Sequence, residues 1–288
     1  MTDQQPAGRQ VWTGVALVAI GIVSVQLGAA IAKSLFPQLG PIGVVWLRLL
    51  IAGLILAVTL PAAFSRVRRA WGIVGLFGLT LAAMNLFFYL SIDRIPLGVA
   101  VTVEFLGPLA VAIFAAARTV DRLWAIPAGV GVALLGLQPA DLDIVGLLFA
   151  LVAGACWGAY ILLSARVGQR ISGTGGLAAA LLVGAAAVTP LGVAAVPTLQ
   201  AQPAVLIGAV AVAVLSSTVP YTVELSALRR IPAALFGVLM SLEPAAAAGA
   251  GALLLGETLR VAEWAALVLV ATASIGAARS SARQPRHE

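Results

Sequence analysis

A single cysteine, Cys156, and a single histidine, His287, are the whole supply of two residue types on which much enzyme chemistry depends. One cysteine excludes a disulfide within the chain and any cysteine-built metal site. A lone histidine in a polar tail removes histidine catalysis and histidine-ligated metal from the rest, so neither an enzyme nor a cofactor is expected. Charge is equally scarce: Asp, Glu, Lys and Arg together make up 10% of the 288 residues, against 61% hydrophobic. Water-soluble domains carry roughly 25% charged residues, so this composition belongs to an integral membrane protein. The pI of about 10.7 suits a nucleic-acid binder. The arginines, however, lie in short segments between long apolar runs, which points to membrane topology and a lipid bilayer as partner.

Apolar runs recur near 11–32, 41–60, 71–91, 97–117, 123–137, 144–165, 175–195, 204–226, 233–254 and 261–278. Each is close to the roughly 20 residues that cross a bilayer, the fifth being the shortest. The first is too long for a signal-peptide core and reads as a retained helix. With the N-terminus inside, thirteen basic residues fall in cytoplasmic segments and three, Lys33, Arg94 and Arg260, in outer ones. That bias follows the positive-inside rule and fixes ten spans with both termini cytoplasmic. Trp12, Trp71, Trp124 and Trp264 stand near span ends, where indoles anchor at the interface.

The chain also echoes itself. Arg94-Ile95-Pro96 matches Arg230-Ile231-Pro232, and Pro108 matches Pro244, both at an offset of 136. "ALVAIG" from Ala16 and "ALVAGA" from Ala150 match at 134. Two halves, 1–138 and 139–288, therefore hold five spans each, and an odd number inverts the second copy. The expected fold class is an all-α polytopic membrane protein of ten transmembrane helices in two inverted five-helix repeats.

Arg48, Glu104, Glu224 and Glu243 are ionisable residues within these spans. Such residues are costly in a bilayer and mark function by default. Arg48 and Glu104 each sit seven residues from the outer end of their span, roughly 10 Å deep at 1.5 Å per residue. Equal depth permits an ion pair between them; snorkelling of Arg48 to the outer headgroups is the alternative to a substrate role. Glu243 lies roughly 15 Å in, near the midplane. Glu224 is near the inner surface, where a solvated or loop-paired carboxylate is the simpler reading. Prolines add to the pattern. Lacking an N–H, proline leaves the carbonyl four residues earlier without its helical donor: Glu104 for Pro108, Met240 for Pro244, Ser216 for Pro220. Freed backbone in a membrane must be buried in protein or line a wet cavity. Glu104 and its own freed carbonyl are thus expected to form one inward-facing polar locus. Gln26, Asn85, Tyr89, Tyr160, Ser217 and Tyr221 are further polar residues within spans, for which helix packing is an equal explanation. Trp157 is mid-span, between packing and cavity wall. Gly154 and Gly158 form a GxxxG suited to close helix contact.

"MNLFFYLSIDRIPLGVAVTVEFLGPLAVAIF", "GACWGAYIL" and the closing "LEPAAAAGAGALLLGETL" resemble the drug/metabolite transporter superfamily in its EamA-type branch, and within it the bacterial inner-membrane threonine/homoserine exporters. The first half has Ala117-Arg118-Thr119 where the second closes on Gly256-Glu257-Thr258. The resemblance implies a central cavity lined by spans 1, 3, 4, 6, 8 and 9, and proton-driven efflux of small neutral amino acids across the inner membrane. A zwitterion needs acceptors for its ammonium, which Glu104 and Glu243 can supply, and donors for its carboxylate, which Arg48 or the hydroxyl and amide groups can supply. A carboxylate withdrawn from water can also exchange protons near neutral pH, as an antiporter needs. Another cargo on the same fold is the nearest alternative; an intramembrane enzyme or a passive channel is further off.

Overall fold

The structure is a computed structural model, which describes residues 7–59, 67, 70–114, 119–136, 143–171, 175–228, 230–231 and 233–282. Regular structure among them is helical throughout. The longest element, α1 (Ala7–Thr59), is two helices joined at Gly40, the only non-helical residue inside it. Gly40 has φ 66° and ψ 160°. The positive φ suits glycine alone, and the extended ψ is what the following Pro41 imposes on its predecessor. The expected loop over 33–40 is therefore a helix with a one-residue break.

After α1 come α2 (Trp71–Ile92), α3 (Leu97–Glu104) and α4 (Leu106–Phe114). A 3₁₀ turn at Thr119–Trp124 leads into α5 (Ala125–Gly136). The second half of the chain holds α6 (Ile144–Arg170), α7 (Gly175–Gly192), the short α8 (Val196–Ala201), α9 (Val205–Ala213) and α10 (Val219–Leu228). It ends with α11 (Ala233–Met240), α12 (Glu243–Leu255) and α13 (Val261–Ala282). Among the described residues, five helical stretches are long and apolar enough to cross a membrane: Val11–Val58, Trp71–Ile92, Ile144–Val167, Gly175–Ala201 and Val205–Glu224.

Apolar side chains cover the outside as well as the inside. Leu253 and Val261 are each 86% exposed and Phe114 82%, so the outer surface is lipid-facing and not a water interface. Lipid tails are as apolar as leucine, so helix association rests on close packing and internal hydrogen bonds. One large core joins both arms of α1 to α2, α3, α6, α7 and α9, with smaller clusters around Leu109 and around Val18. Trp12, Trp71 and Trp264 are exposed near helix ends, as interfacial anchors are. Trp124 departs from that expectation: it is half-buried, its ring covering Gly276. Asp143 caps the N-terminus of α6, accepting from the Val145 and Gly146 amides. In sequence Asp141 and Asp143 mark an outer turn between the halves; Asp141 lies outside the described residues.

Candidate functional site

Arg48 sits on the second arm of α1, and α9 and α10 explain how it is held. Between them the backbone widens into a π-turn at Val214–Thr218, closed by the Val219 amide donating to the Val214 carbonyl. In that pattern the donor due to Leu215 would come from residue 220, as would the ordinary helical donor due to Ser216. Residue 220 is proline, so both carbonyls are left free. α1 supplies both replacements: Ser24 Oγ donates to the Leu215 carbonyl at 2.7 Å, and an Arg48 terminal nitrogen donates to the Ser216 carbonyl at 2.7 Å. Arg48 also donates from Nε to Ser217 Oγ and from its other terminal nitrogen to Tyr89 Oη, both at 3.1 Å. The guanidinium is thereby fixed by three bonds to two elements, the π-turn and α2, and at 8% exposure it is inside the protein. The snorkelling alternative fails because every one of these bonds is internal. The ion pair with Glu104 is absent too. Equal depth permitted it, but the Arg48 fork turns toward the π-turn and makes no salt bridge among the described residues.

Glu104 ends α3, and Phe105 is the turn before α4. Its carboxylate side chain lines the cavity, but its freed carbonyl does not. That oxygen faces Gly154 of α6, where a Cβ would come within 2.7 Å of it. Gly107 reciprocates, its missing Cβ leaving room for the Gly154 carbonyl. The expected polar locus of carboxylate plus carbonyl thus divides, because a carbonyl follows the helix axis while a side chain leaves it radially. Backbone C–H···O contacts of this kind recur at helix crossings. Gly154 and Gly158 make the close contact expected of them, and the surface they meet is the break in the Glu104 helix. The α11–α12 break is built differently. Leu242 closes a tight turn to the Leu239 carbonyl, Ser241 Oγ donates to the Gly237 carbonyl, and Glu243 begins α12 directly before Pro244.

These features surround one cavity of about 490 Å³, within the range of roughly 300–1,000 Å³ typical of small-molecule sites. Of the ten sequence candidates, eight line it: Gln26, Arg48, Asn85, Glu104, Trp157, Tyr160, Tyr221 and Glu243. Tyr89 and Ser217 do not; they stand behind Arg48 as its hydrogen-bond partners. Trp157 meets Phe105 edge-on at 5.4 Å, and Tyr160 stacks on Phe77 at 5.3 Å, so both aromatic walls are braced. Asn85 spends its amide hydrogen on the Leu81 carbonyl. Glu224 also lines the cavity, which the solvated or loop-paired reading missed; Arg229, five residues on in sequence, lies outside the described residues. Ser164, Phe236 and Ser274 were missed as well, and none carries a charge or motif that marks it in sequence. Among the described residues Glu104, Glu224 and Glu243 form no salt bridge.

A polytopic helical protein whose broken helices surround a ligand-sized cavity, largely apolar with a few charged and polar side chains, has the architecture of a membrane carrier. The profile of the EamA-like transporter family matches residues 144–279. Over 280 residues the chain is 41% identical to the threonine/homoserine exporter RhtA of Salmonella typhimurium strain SL1344, covering 96% of this chain and 95% of that one. It is 41% identical over 275 residues to the exporter of the same name from Escherichia coli K12, covering 92% and 91%. The protein belongs to the EamA-like transporter family, within the drug/metabolite transporter superfamily, and is a multi-pass protein of the bacterial inner membrane. A solved crystal structure superposes with a TM-score of 0.60 at 19% identity, covering 91% of this chain and 96% of the other, a likeness of fold alone.

Proposed function

We propose that the protein exports small neutral amino acids, threonine and homoserine among them, by proton antiport through alternating access of one central site. The observation that carries this reading is the cavity's charge pattern. It offers a guanidinium locked by three internal bonds, and glutamates that form no salt bridge among the described residues. A zwitterion matches both: its carboxylate takes the remaining Arg48 donors, and its ammonium sits against Glu104 or Glu243. Proton and ammonium then compete for the same carboxylates, which is the coupling an antiporter needs. Both relatives at 41% identity are called threonine/homoserine exporters, which supports this cargo.

In this proposal ten spans form two inverted five-helix halves, 1–138 and 139–288, with both termini cytoplasmic. Reciprocal packing supports the repeat. Gly14, in the first half, packs on Ile231 and Arg230 of the second Arg-Ile-Pro turn; Gly146, in the second half, packs on Ile95 and Arg94 of the first.

The test is flux in proteoliposomes under an imposed pH gradient, with labelled threonine beside a panel of amino acids. Threonine movement that ignores the gradient would remove proton coupling. Movement of no amino acid would remove the substrate class. Glu104→Gln is expected to lose gradient-driven uptake, and full coupling in that variant would transfer the role to Glu243.

A further inference from the structure

The Gly-Glu-Thr at 256–258 has no counterpart in the first half, and the cavity does not use it. Its carboxylate is nevertheless fully engaged. Glu257 Oε1 lies 2.6 Å from Lys33 Nζ, on the first arm of α1. Oε2 accepts from the Leu97 amide at 2.8 Å, at the first residue of α3. Lys33 Nζ donates in addition to the Ile95 carbonyl at 3.1 Å. Gly256, with φ 67°, turns the chain so that the Glu257 amide donates back to the Gly251 carbonyl at 3.0 Å. At Gly251 a Cβ would collide with Oε2, so glycine there is what lets the carboxylate lie against α12.

One carboxylate thus ties together three segments: α1, the α2–α3 turn and the α12–α13 turn. Two of the tied helices, α3 and α12, carry two of the cavity's three glutamates. Glu104 is seven residues along from Leu97, and Glu243 is eight residues before Gly251. Side-chain exposures of 24% for Lys33 and 13% for Glu257 make this a shielded pair. Lys33 and Arg260 belong to the arginine-poor side by charge bias. The cavity wall instead extends to Ser164 and Glu224, near the ends bearing Arg166, Arg170 and Arg230.

We infer that Lys33 and Glu257 are the outer gate of the transport cycle. Their pairing closes the site to the far side while it faces the cytoplasm, and their separation frees the outer ends of α3 and α12 together. The inference rests on the transporter reading above for its direction, since alternating access requires a contact that exists in only one of two states.

Access to the cavity can be measured without any cargo. In a Cys156→Ala background, Met84→Cys places a reporter thiol on the cavity wall. Labelling by a membrane-impermeant maleimide is then followed from each face of sealed vesicles. With the pair intact, the thiol is expected to label from the cytoplasmic face and to be shielded from the other. Glu257→Gln and Lys33→Met should each raise labelling from the outer face roughly tenfold, the response to a shift of about 1.4 kcal/mol between two states. Unchanged outer labelling in both variants, or a wild-type thiol reached from the outer face and shielded from the cytoplasm, would overturn the gate. A second arm covers variants that fold poorly: Lys33→Cys with Glu257→Cys, bridged by a short cleavable cross-linker. Bridging should stop flux and cleavage restore it; flux that persists while bridged overturns the gate. If outer labelling rises but no amino acid moves in any variant, the gate stands and the cargo proposal falls.

Discussion

Gly154→Ala is a sharp test of how the Glu104 helix is positioned. The added methyl would lie 2.7 Å from the Glu104 carbonyl oxygen, 3.2 Å from its Cα and 3.3 Å from its carbonyl carbon. All three are backbone atoms, so no side chain can rotate away. The helices must separate by about half an ångström or more to reach ordinary contact, and overpacking of this kind costs about 1–3 kcal/mol. Alanine's better helix propensity returns up to about 1 kcal/mol. A net loss of about 0–2 kcal/mol is expected for Gly154→Ala. Gly107→Ala should lie at the upper end, because its methyl runs into the Gly154 carbonyl itself. Gly249→Ala is the control: nothing lies within 4 Å of the site, so only the propensity gain operates. Thermal unfolding in detergent should therefore rank Gly249→Ala above wild type and both contact variants below it. Threonine flux should fall in the contact variants, because the break that aims Glu104 is displaced. If Gly154→Ala unfolds with Gly249→Ala and carries flux like wild type, the crossing does not position Glu104 and the reasoning fails.

Arg48→Lys keeps the charge but cannot span three acceptors with a fork. It should fold less stably by about 1.5–3 kcal/mol and lose most threonine flux, and a variant with wild-type flux would remove the guanidinium from recognition. Pro220→Ala restores an N–H that competes with Arg48 for the Ser216 carbonyl; it should keep or raise the unfolding temperature while weakening the apparent KM several-fold, roughly the effect of 1 kcal/mol, and an unchanged KM would count against the proline's role. Arg94 hydrogen-bonds Asp143 and holds its carboxyl below the usual carboxylate range. A depressed folded-state pKa gives stability that is present above the unfolded value of about 3.9 and is lost as pH falls through the folded one. The unfolding-temperature advantage of wild type over Asp143→Asn should therefore shrink below about pH 4, and a pH-independent gap would refute the pairing.

What the sequence reveals here depends on whether a feature is local. A missing N–H at Pro220 is local, so the freed Ser216 carbonyl could be read directly; that Arg48 would take it could not, because 168 residues separate the two. The intramembrane charges could be counted, and the cavity gathers Arg48, Glu104 and Glu243 as their rarity suggested. Depth along a helix was a poor guide to partnership, since it carries no information about azimuth. Arg48 and Glu104 share a depth and do not pair; Glu224, judged from depth, was read as a solvated or loop-paired carboxylate and lines the cavity. Where the Glu104 carbonyl points was likewise hidden, because it follows from the crossing with Gly154. Lys33 and Glu257 were visible only as a loop charge and a motif, since their meeting needs two turns brought together by the fold.

The repeat offset sharpens the division of labour between the halves. At 134–136 residues from Arg48 lie Leu182, Val183 and Gly184, none of them basic. At the same offset before Glu224 lie Phe88, Tyr89 and Leu90, and before Pro220 lie Met84, Asn85 and Leu86. Glu104 corresponds to Met240 at 136, so Glu243 stands three residues, nearly one helical turn, from the mirrored position. The sequence echoes itself while the chemistry does not. The first half contributes the guanidinium, and the second contributes the π-turn that holds it. Each contributes a glutamate, but at a different distance from its proline. An exporter has reason for this asymmetry. In the proposed cycle a symmetric site would bind an amino acid equally well in two opposite orientations, whereas one cation held to one side would give the cargo a single carboxylate end and leave the glutamates to alternate between ammonium and proton.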